Sequence, residues 1–160
     1  MTQTELHERF VYAEGILYHK HSVGNLKAGS VAGHLHHSGY LHVRVNGIHN
    51  TVHNVIWMMH FGAIPEGYEV DHIDRVRSNN LISNLRLATR QQQCANRKTP
   101  ITNRSGYKGV SFNKKSGKWV AQINVEGKRN TIGYFDTPEE ASNAYNEVSQ
   151  MIYGEFHHGN

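Results

Sequence analysis

Cysteine is almost absent from this chain of 160 residues, since Cys94 is the only one. A single thiol excludes an intrachain disulfide and a zinc site with four cysteine ligands, and it suits a reducing cytoplasm. Long apolar runs are absent too, and none approaches the roughly 18 residues that a membrane-spanning helix needs. The first ten residues lack the basic-then-apolar order of a signal peptide. We therefore expect a cytoplasmic protein that makes no contact with membranes.

The charged residues are unevenly distributed. The chain has 17 Lys and Arg against 13 Asp and Glu, a formal net charge of +4 and a pI near 9.2. Residues 98–134 contain eight basic residues and one acidic residue, whereas residues 135–160 contain five acidic residues and no Lys or Arg. This division predicts one surface that faces a polyanion and another that is kept away from it.

Short strands and turns are predicted for residues 1–50. Ala13-Glu14-Gly15 indicates a tight turn, and the alternating run from Tyr40 to Val45 indicates a half-buried strand. Asn46-Gly47 predicts a hairpin, because a type I′ turn needs positive φ at both positions. The apolar period then changes, and Val52–Phe61 is predicted to be a short helix.

Residues 70–97, VDHIDRVRSNNLISNLRLATRQQQCANR, concentrate side chains that can do chemistry. Asp71 offers oxygen ligands of the kind that Mg²⁺ prefers, and the adjacent His72 can take a proton near neutral pH. Asn side chains can hold a loop through their amide groups. Thr89 and Gln92 have the spacing of a capping box, which predicts a helix starting near Thr89.

The C-terminal part predicts a three-stranded antiparallel sheet packed on one helix. The strands are expected at Tyr107–Phe112, Lys118–Val125 and Arg129–Phe135, and the helix begins at Thr137-Pro138-Glu139-Glu140. An apolar stripe at helical spacing continues from there. The residues expected in the core of this module are Phe112, Val120, Ile123, Phe135 and Tyr145.

The order Asp-His, Asn, helix resembles the HNH nuclease motif, also called the ββα-metal fold. The similarity covers residues 40–97 and points to the branch found in phage and intron homing endonucleases. It implies that His72 is the general base and that Asn84 fixes the loop that carries it. It also implies that Asp71 and a residue on the helix hold one divalent metal, Mg²⁺ or Mn²⁺.

The helix ligand departs from the family pattern. In that family it follows the middle Asn by nine residues and is usually Asn or His, but here the position holds Gln93. Asn96 lies three residues further along on the same helix face, so Gln93 and Asn96 are both candidates. The histidines between His34 and His60 lack clear metal-ligand spacing, and no zinc is expected.

The string GYKGVSF…GKWVAQI…IGYFDTPEEASNAY resembles the Apetala/ethylene-response-factor DNA-binding domain, which phage HNH endonucleases also carry. In that family the sheet enters the major groove. Trp119 is either on the DNA side or a sheet-packing residue. The resemblance and the basic charges give these candidate DNA contacts: Arg75, Arg77, Arg86, Lys108, Ser111, Asn113, Lys118, Trp119, Gln122, Asn124, Lys128 and Arg129.

Together these observations predict an α+β protein with a β-rich nuclease domain at residues 1–97, a linker at 98–104 and a DNA-binding domain at 105–160. The predicted function is metal-dependent hydrolysis of phosphodiester bonds in double-stranded DNA, in the host cytoplasm if the protein is phage-encoded. The alternative is a non-catalytic DNA-binding protein with a degenerate nuclease site. The sequence leaves a monomer and a dimer equally open.

Overall fold

The computed structural model describes residues 1–97, 99 and 102–157. It has the expected α+β architecture and divides into two compact units, residues 1–89 and 90–160. The predicted linker at 98–104 lies partly outside the described residues. The helix after Thr89 groups with the second unit, whereas the sequence placed it in the nuclease domain. Within the described part, no helix combines the length and the apolar character needed to cross a membrane.

The first unit is built from small antiparallel sheets around one helix. Its elements are α1 (Gln3–Arg9), β1 (Phe10–Ala13), β2 (Ile16–His19), β3 (His34–Leu35), β4 (Leu41–Val45), β5 (Ile48–Thr51), α2 (Val52–Phe61), β6 (Tyr68–His72), a 3₁₀ turn (Ile82–Asn84) and β7 (Leu85–Thr89). The strands form the pairs β1–β2 and β6–β7 and the sheet β3–β4–β5.

The predicted tight turns are confirmed. Glu14 and Gly15 have φ of 48° and 81°, and Asn46 and Gly47 have φ of 51° and 81°. These are the left-handed values that two-residue hairpins require. The Asn46-Gly47 turn therefore sets the register of β4 against β5.

The core of the first unit surrounds α2. Val52, Val55, Ile56 and Met59 of this helix are buried, and they belong to one apolar cluster with side chains from α1 and strands β1, β2, β4, β6 and β7. Removing these apolar side chains from water holds α2 against the sheets and contributes about 25 cal/mol for each Å² of apolar surface buried. It also fixes the position of His53, the one buried polar residue on this helix.

Helix α1 was missed by the sequence analysis, which expected only strands and turns in residues 1–50. A complete capping box starts it, since Thr2 accepts from the Glu5 N–H and the Glu5 carboxylate accepts from the Thr2 N–H. The helix has only seven residues and one buried side chain, Leu6. Such a short element has no apolar period to detect, and tertiary packing of Leu6 stabilises it.

The second unit contains α3 (Arg90–Asn96), β8 (Val110–Asn113), β9 (Lys118–Val125), β10 (Lys128–Phe135), α4 (Pro138–Tyr153) and a 3₁₀ turn (Gly154–Phe156). The sheet is antiparallel in the order β10–β9–β8, and α4 packs against all three strands. The predicted start of α4 is confirmed, with a complete capping box between Thr137 and Glu140 and Pro138 in the first turn.

One core expectation for the second unit was wrong. Val120, Ile123 and Tyr145 are buried and Phe135 is half-buried, but the side chain of Phe112 is 50% exposed. Phe112 lies on the edge strand β8, one residue before the strand ends. Its ring contacts Trp119 on β9, with centroids 5.2 Å apart. An edge position leaves the outer side of the ring without a neighbouring strand to cover it.

Candidate active site and nucleic-acid interface

His72 lies at the buried end of strand β6. Its side chain is 4% exposed, and its Nε2 atom is 2.9 Å from Oδ1 of Asn80. An amide oxygen can only accept a hydrogen bond, so Nε2–H of His72 must be the donor. The neutral ring then has its lone pair on Nδ1.

Two aromatic rings lie close to the His72 ring. The ring of His53 meets it edge to face with centroids 4.8 Å apart, and the ring of Tyr40 lies 6.0 Å from it. Burial, helped by the nearby His72 and His42, lowers the pKa of His53 to about 3. His53 is therefore uncharged at neutral pH, and its Nε2 lies 3.2 Å from Oγ1 of Thr51. From the sequence, His53 was open to a structural, a phosphate-contacting or a catalytic role, and Tyr40 was expected only as part of a strand.

Asp71 forms a buried ion pair with Arg86. The Arg86 Nε and Nη2 atoms are each 3.5 Å from Oδ2 of Asp71. The two residues are direct partners in the β6–β7 register, so they lie on one face of the hairpin as an opposite-charge pair. Arg86 was predicted to contact a DNA phosphate, but the structure places its side chain in the interior beside Asp71.

Asn84 pins the loop that follows His72. Its Nδ2 donates to Asp74 Oδ1 at 2.9 Å and to the Asn79 carbonyl at 2.8 Å, and its Oδ1 accepts from the Asp74 N–H at 3.0 Å. Burial acts to raise the pKa of Asp74, but hydrogen bonds from Val76, Asn79 and Asn84 outweigh it and the pKa is lowered. Asp74 thus serves as the ionised centre of the loop.

Asn80 forms a hydrogen bond with the His72 ring, a contact that the sequence did not indicate. The dipeptide Asn79-Asn80 was visible, but nothing in the sequence shows which of several asparagines in residues 79–84 faces His72. The structure separates them. Asn79 donates to Asp74 Oδ2 at 2.6 Å, whereas Asn80 turns inward to the imidazole.

Two further arginines belong to this loop. Arg77 is exposed, donates to the Ser38 carbonyl at 2.6 Å and holds its guanidinium 4.9 Å from the Tyr40 ring centroid. Arg75 has a left-handed backbone with φ of 63°, and its buried Nε has no hydrogen-bond partner among the described residues. Of the two, Arg77 has the more accessible charge for a phosphate.

The helix candidates for a metal ligand both lie on α3 in the second unit. Gln93 is half-buried, while Asn96 is 3% exposed. Lys108, predicted to contact DNA, donates through Nζ to the carbonyls of Ala95 and Arg97 at the end of this helix. A cation there satisfies carbonyls that the helix leaves unbonded.

The strand register of the second unit divides the sheet into two faces. Val110, Ala121 and Gly133 are partners on one face, and Ser111, Val120 and Tyr134 are partners on the other. Trp119 shares the first face, because it pairs with Phe112 and Phe135. The second face carries most of the predicted contacts: Ser111, Asn113, Lys118, Gln122, Asn124 and Arg129. Lys128 pairs with Val125 and falls on the first face.

The polar face is accessible and has little internal pairing. Ser111, Asn124 and Arg129 are exposed, and Asn124 and Arg129 are direct cross-strand partners. Gln122 donates to Thr131 at 3.2 Å, and Lys118 pairs with Asp136 at 3.2 Å. A cleft of about 720 Å³ adjoins this face and is lined by residues of the second unit, among them Arg90, Gln122, Asn124 and Arg129.

The donor chemistry of the site fits a hard divalent cation. Asp71 supplies carboxylate oxygens, the ligands that such a cation prefers. The described residues contain no group of three or more His, Cys, Asp and Glu side chains able to hold a metal. Mg²⁺ does not need one, because it is usually held by one or two carboxylates together with water and substrate phosphate.

These features define a nuclease joined to a DNA-binding sheet. The HNH endonuclease model matches residues 50–95, and the AP2 domain model matches residues 105–155. The chain belongs to the HNH endonuclease family and carries an AP2 domain after its nuclease motif.

Its relatives are viral. The chain is 36% identical over 104 residues to Protein 3.8 of Escherichia phage T7, and this match covers 65% of the chain and 85% of Protein 3.8. It is 38% identical over 95 residues to the uncharacterized HNH endonuclease L560 of Acanthamoeba polyphaga mimivirus, covering 59% of this chain and 48% of the relative. In structure it is similar to the HNH homing endonuclease I-HmuI, with a TM-score of 0.40, 22% identity and coverage of 94% and 87% of the two chains.

Proposed function

We propose that this endonuclease hydrolyses phosphodiester bonds of double-stranded DNA with His72 as the general base. The observation that carries the proposal is the buried His72 ring at the end of β6, with Nε2 held 2.9 Å from Asn80 Oδ1. That contact leaves the lone pair of the neutral ring on Nδ1, the nitrogen that would accept a proton. A fixed, uncharged imidazole is the form of histidine that a general base requires.

The reaction is a single displacement at phosphorus. Nδ1 of His72 takes a proton from a water molecule, and the water oxygen forms a bond to phosphorus in line with the leaving group. The bond from phosphorus to the 3′ oxygen breaks, and that oxygen takes a proton from solvent. The products are a 5′-phosphate and a 3′-hydroxyl end. Asn84 contributes by holding the loop from Asp74 to Asn79 in one conformation.

The metal would be Mg²⁺ or Mn²⁺, held by Asp71 and by a helix amide, Gln93 or Asn96. When bound, it would supply positive charge against the phosphate and the leaving 3′ oxygen. The Asp71 carboxylate faces the Arg86 guanidinium, whose Nε atom lies 3.5 Å from Oδ2 of Asp71. Arg77, exposed beside the Tyr40 ring, is positioned to hold a phosphate of the DNA backbone.

The AP2 sheet would provide the DNA anchor. Its polar face presents amide and guanidinium groups, which can read base edges in the major groove, and the exposed Lys118, which can hold phosphates. Five of the six acidic residues of this unit lie after the strands, on and beside α4. A relative in phage T7 favours action in the host cytoplasm.

The test is cleavage of supercoiled plasmid by the full chain with Mg²⁺, Mn²⁺ or EDTA. His72→Ala is compared with His49→Ala, which removes an exposed histidine from the β4–β5 hairpin. We expect metal-dependent nicked or linear product that His72→Ala abolishes and His49→Ala retains, with DNA binding unchanged in both. Tight binding without cutting under any metal would overturn the proposal and leave a DNA-binding protein with a degenerate nuclease site.

A further inference from the structure

We propose that Asn80 is a positioning residue that fixes the ring orientation and the tautomer of His72. The inference rests on the proposed function for its catalytic consequence, but the structural claim stands apart from it. Asn80 is 1% exposed and His72 is 4% exposed, so water cannot readily substitute for either partner. The 2.9 Å contact between Asn80 Oδ1 and His72 Nε2 therefore favours the Nε2–H tautomer.

The amide group of Asn80 points to a role for its oxygen alone. Its Nδ2 atom is buried and has no hydrogen-bond partner among the described residues. Leaving a buried donor unsatisfied destabilises the folded chain. A residue kept only for packing would avoid that cost, and such local violations are expected where function requires a particular atom. The atom that Asn80 contributes is the acceptor facing His72.

The backbone that carries Asn80 is held from two sides. On one side the Asn79 carbonyl accepts from Asn84 Nδ2 at 2.8 Å. On the other, the β1–β2 turn comes so close that a Cβ on Gly15 would lie 3.2 Å from the Asn80 carbonyl carbon. The Ile82 N–H donates to the Tyr12 hydroxyl at 3.0 Å. The acceptor is thus presented to His72 from a rigid loop.

Packing alone does not set the tautomer. The His53 ring, 4.8 Å away at 74°, limits rotation of the His72 ring but does not determine which nitrogen carries the proton. Asn84 acts on the backbone of the loop, one step removed from the imidazole. Of the asparagines in residues 79–84, Asn80 is the one seen bonded to the base itself, and the proton position follows from it.

The direct test is the tautomer of His72 in the wild-type protein without added metal. Long-range ¹H–¹⁵N correlation spectra distinguish a ring protonated at Nε2 from one protonated at Nδ1. We expect the Nε2–H form in the wild type and a mixture of tautomers in Asn80→Leu, which has nearly the same shape and no acceptor. An Nδ1–H ring in the wild type, or an unchanged Nε2–H ring in Asn80→Leu, would overturn the proposal.

Kinetics give an independent readout. Asn80→Leu and the smaller Asn80→Ala should lower kcat by about 10- to 100-fold, at or below the lower end of the 10²–10⁴-fold that a general base contributes, with KM for DNA within about twofold.

Asn79→Ala serves as the loop control, because it removes the 2.6 Å bond to Asp74 without touching the His72 ring. A kcat loss in Asn79→Ala as large as that in Asn80→Leu would show that loop integrity and not the hydrogen bond matters. If the wild type does not cut DNA, the proposed function fails, while the tautomer measurement still decides the role of Asn80.

Discussion

The imidazoles of His53 and His72 meet edge to face, with centroids 4.8 Å apart and ring planes at 74°. His53 comes from helix α2 and His72 from strand β6, so the contact joins the helical core of the first unit to the proposed base. Burial, together with His72 and His42, lowers the pKa of His53 to about 3. The site therefore has a neutral histidine as the neighbour of its base.

The first prediction concerns stability in acid. The pKa of His53 is lower in the folded chain than in the unfolded chain, so the unfolded chain binds more protons between about pH 6.5 and pH 3. The contribution of His53 to the free energy of unfolding is fully present above that pH window. It falls by up to about 1.4 kcal/mol per pH unit as the pH drops through the window. Urea unfolding at several pH values should show a flatter profile for His53→Gln than for the wild type. If the free energies of unfolding of His53→Gln and the wild type depended on pH in the same way, the lowered pKa of His53 would be contradicted.

The second prediction concerns the loop after His72. Asn84→Ala removes three hydrogen bonds of 2.8–3.0 Å to Asp74 and Asn79, and should destabilise the chain by about 1–3 kcal/mol. Cleavage should fall while DNA binding is kept. In Asn84→Asp a second carboxylate would face Asp74, and the two negative charges would repel each other at neutral pH. The loss of stability in Asn84→Asp should therefore shrink as the pH falls below 4 and the carboxylates become protonated. Denaturant titrations at several pH values measure the free energy of unfolding of both variants. If the wild type and both variants were equally stable at all pH values, the role of Asn84 in holding the loop would be contradicted.

The third prediction concerns the sheet of the AP2 domain. Asn124→Ala and Arg129→Ala alter cross-strand partners on the exposed polar face, and both should weaken binding to duplex DNA. If Arg129 neutralises a phosphate, its removal should reduce the slope of log K against log salt by about 1. Asn143→Ala is the matched control, because Asn143 is an exposed asparagine on α4. Equal weakening by Asn143→Ala and Asn124→Ala would show that the sheet is not the DNA-binding face.

The fourth prediction separates the two helix candidates. Gln93 is half-buried, whereas Asn96 is 3% exposed, so Gln93 is the more accessible amide for a metal. Gln93→Leu should raise the Mn²⁺ concentration for half-maximal cleavage by at least about tenfold and weaken Mn²⁺ binding followed by electron paramagnetic resonance. Asn96→Leu should mainly lower the melting temperature. The reverse pattern would make Asn96 the ligand.

Much of the fold follows from local sequence. Asn46-Gly47 and Glu14-Gly15 specify hairpins because their φ values are set within two residues. Thr137, Pro138 and Glu140 specify the start of α4 by the same local chemistry. Helix α1 was not predicted, because a single buried residue, Leu6, gives no apolar period.

The sequence by itself determined the order of modules and the polar pattern of the AP2 strands, and it predicted Asp71, His72 and Asn84 as site residues. Only the tertiary structure decided that Asn80 bonds to His72, that Arg86 lies buried beside Asp71 and that Phe112 is exposed. The reason is physical. Turns and caps depend on neighbouring residues, whereas the partner of a buried polar group depends on strand register and on which segments pack together.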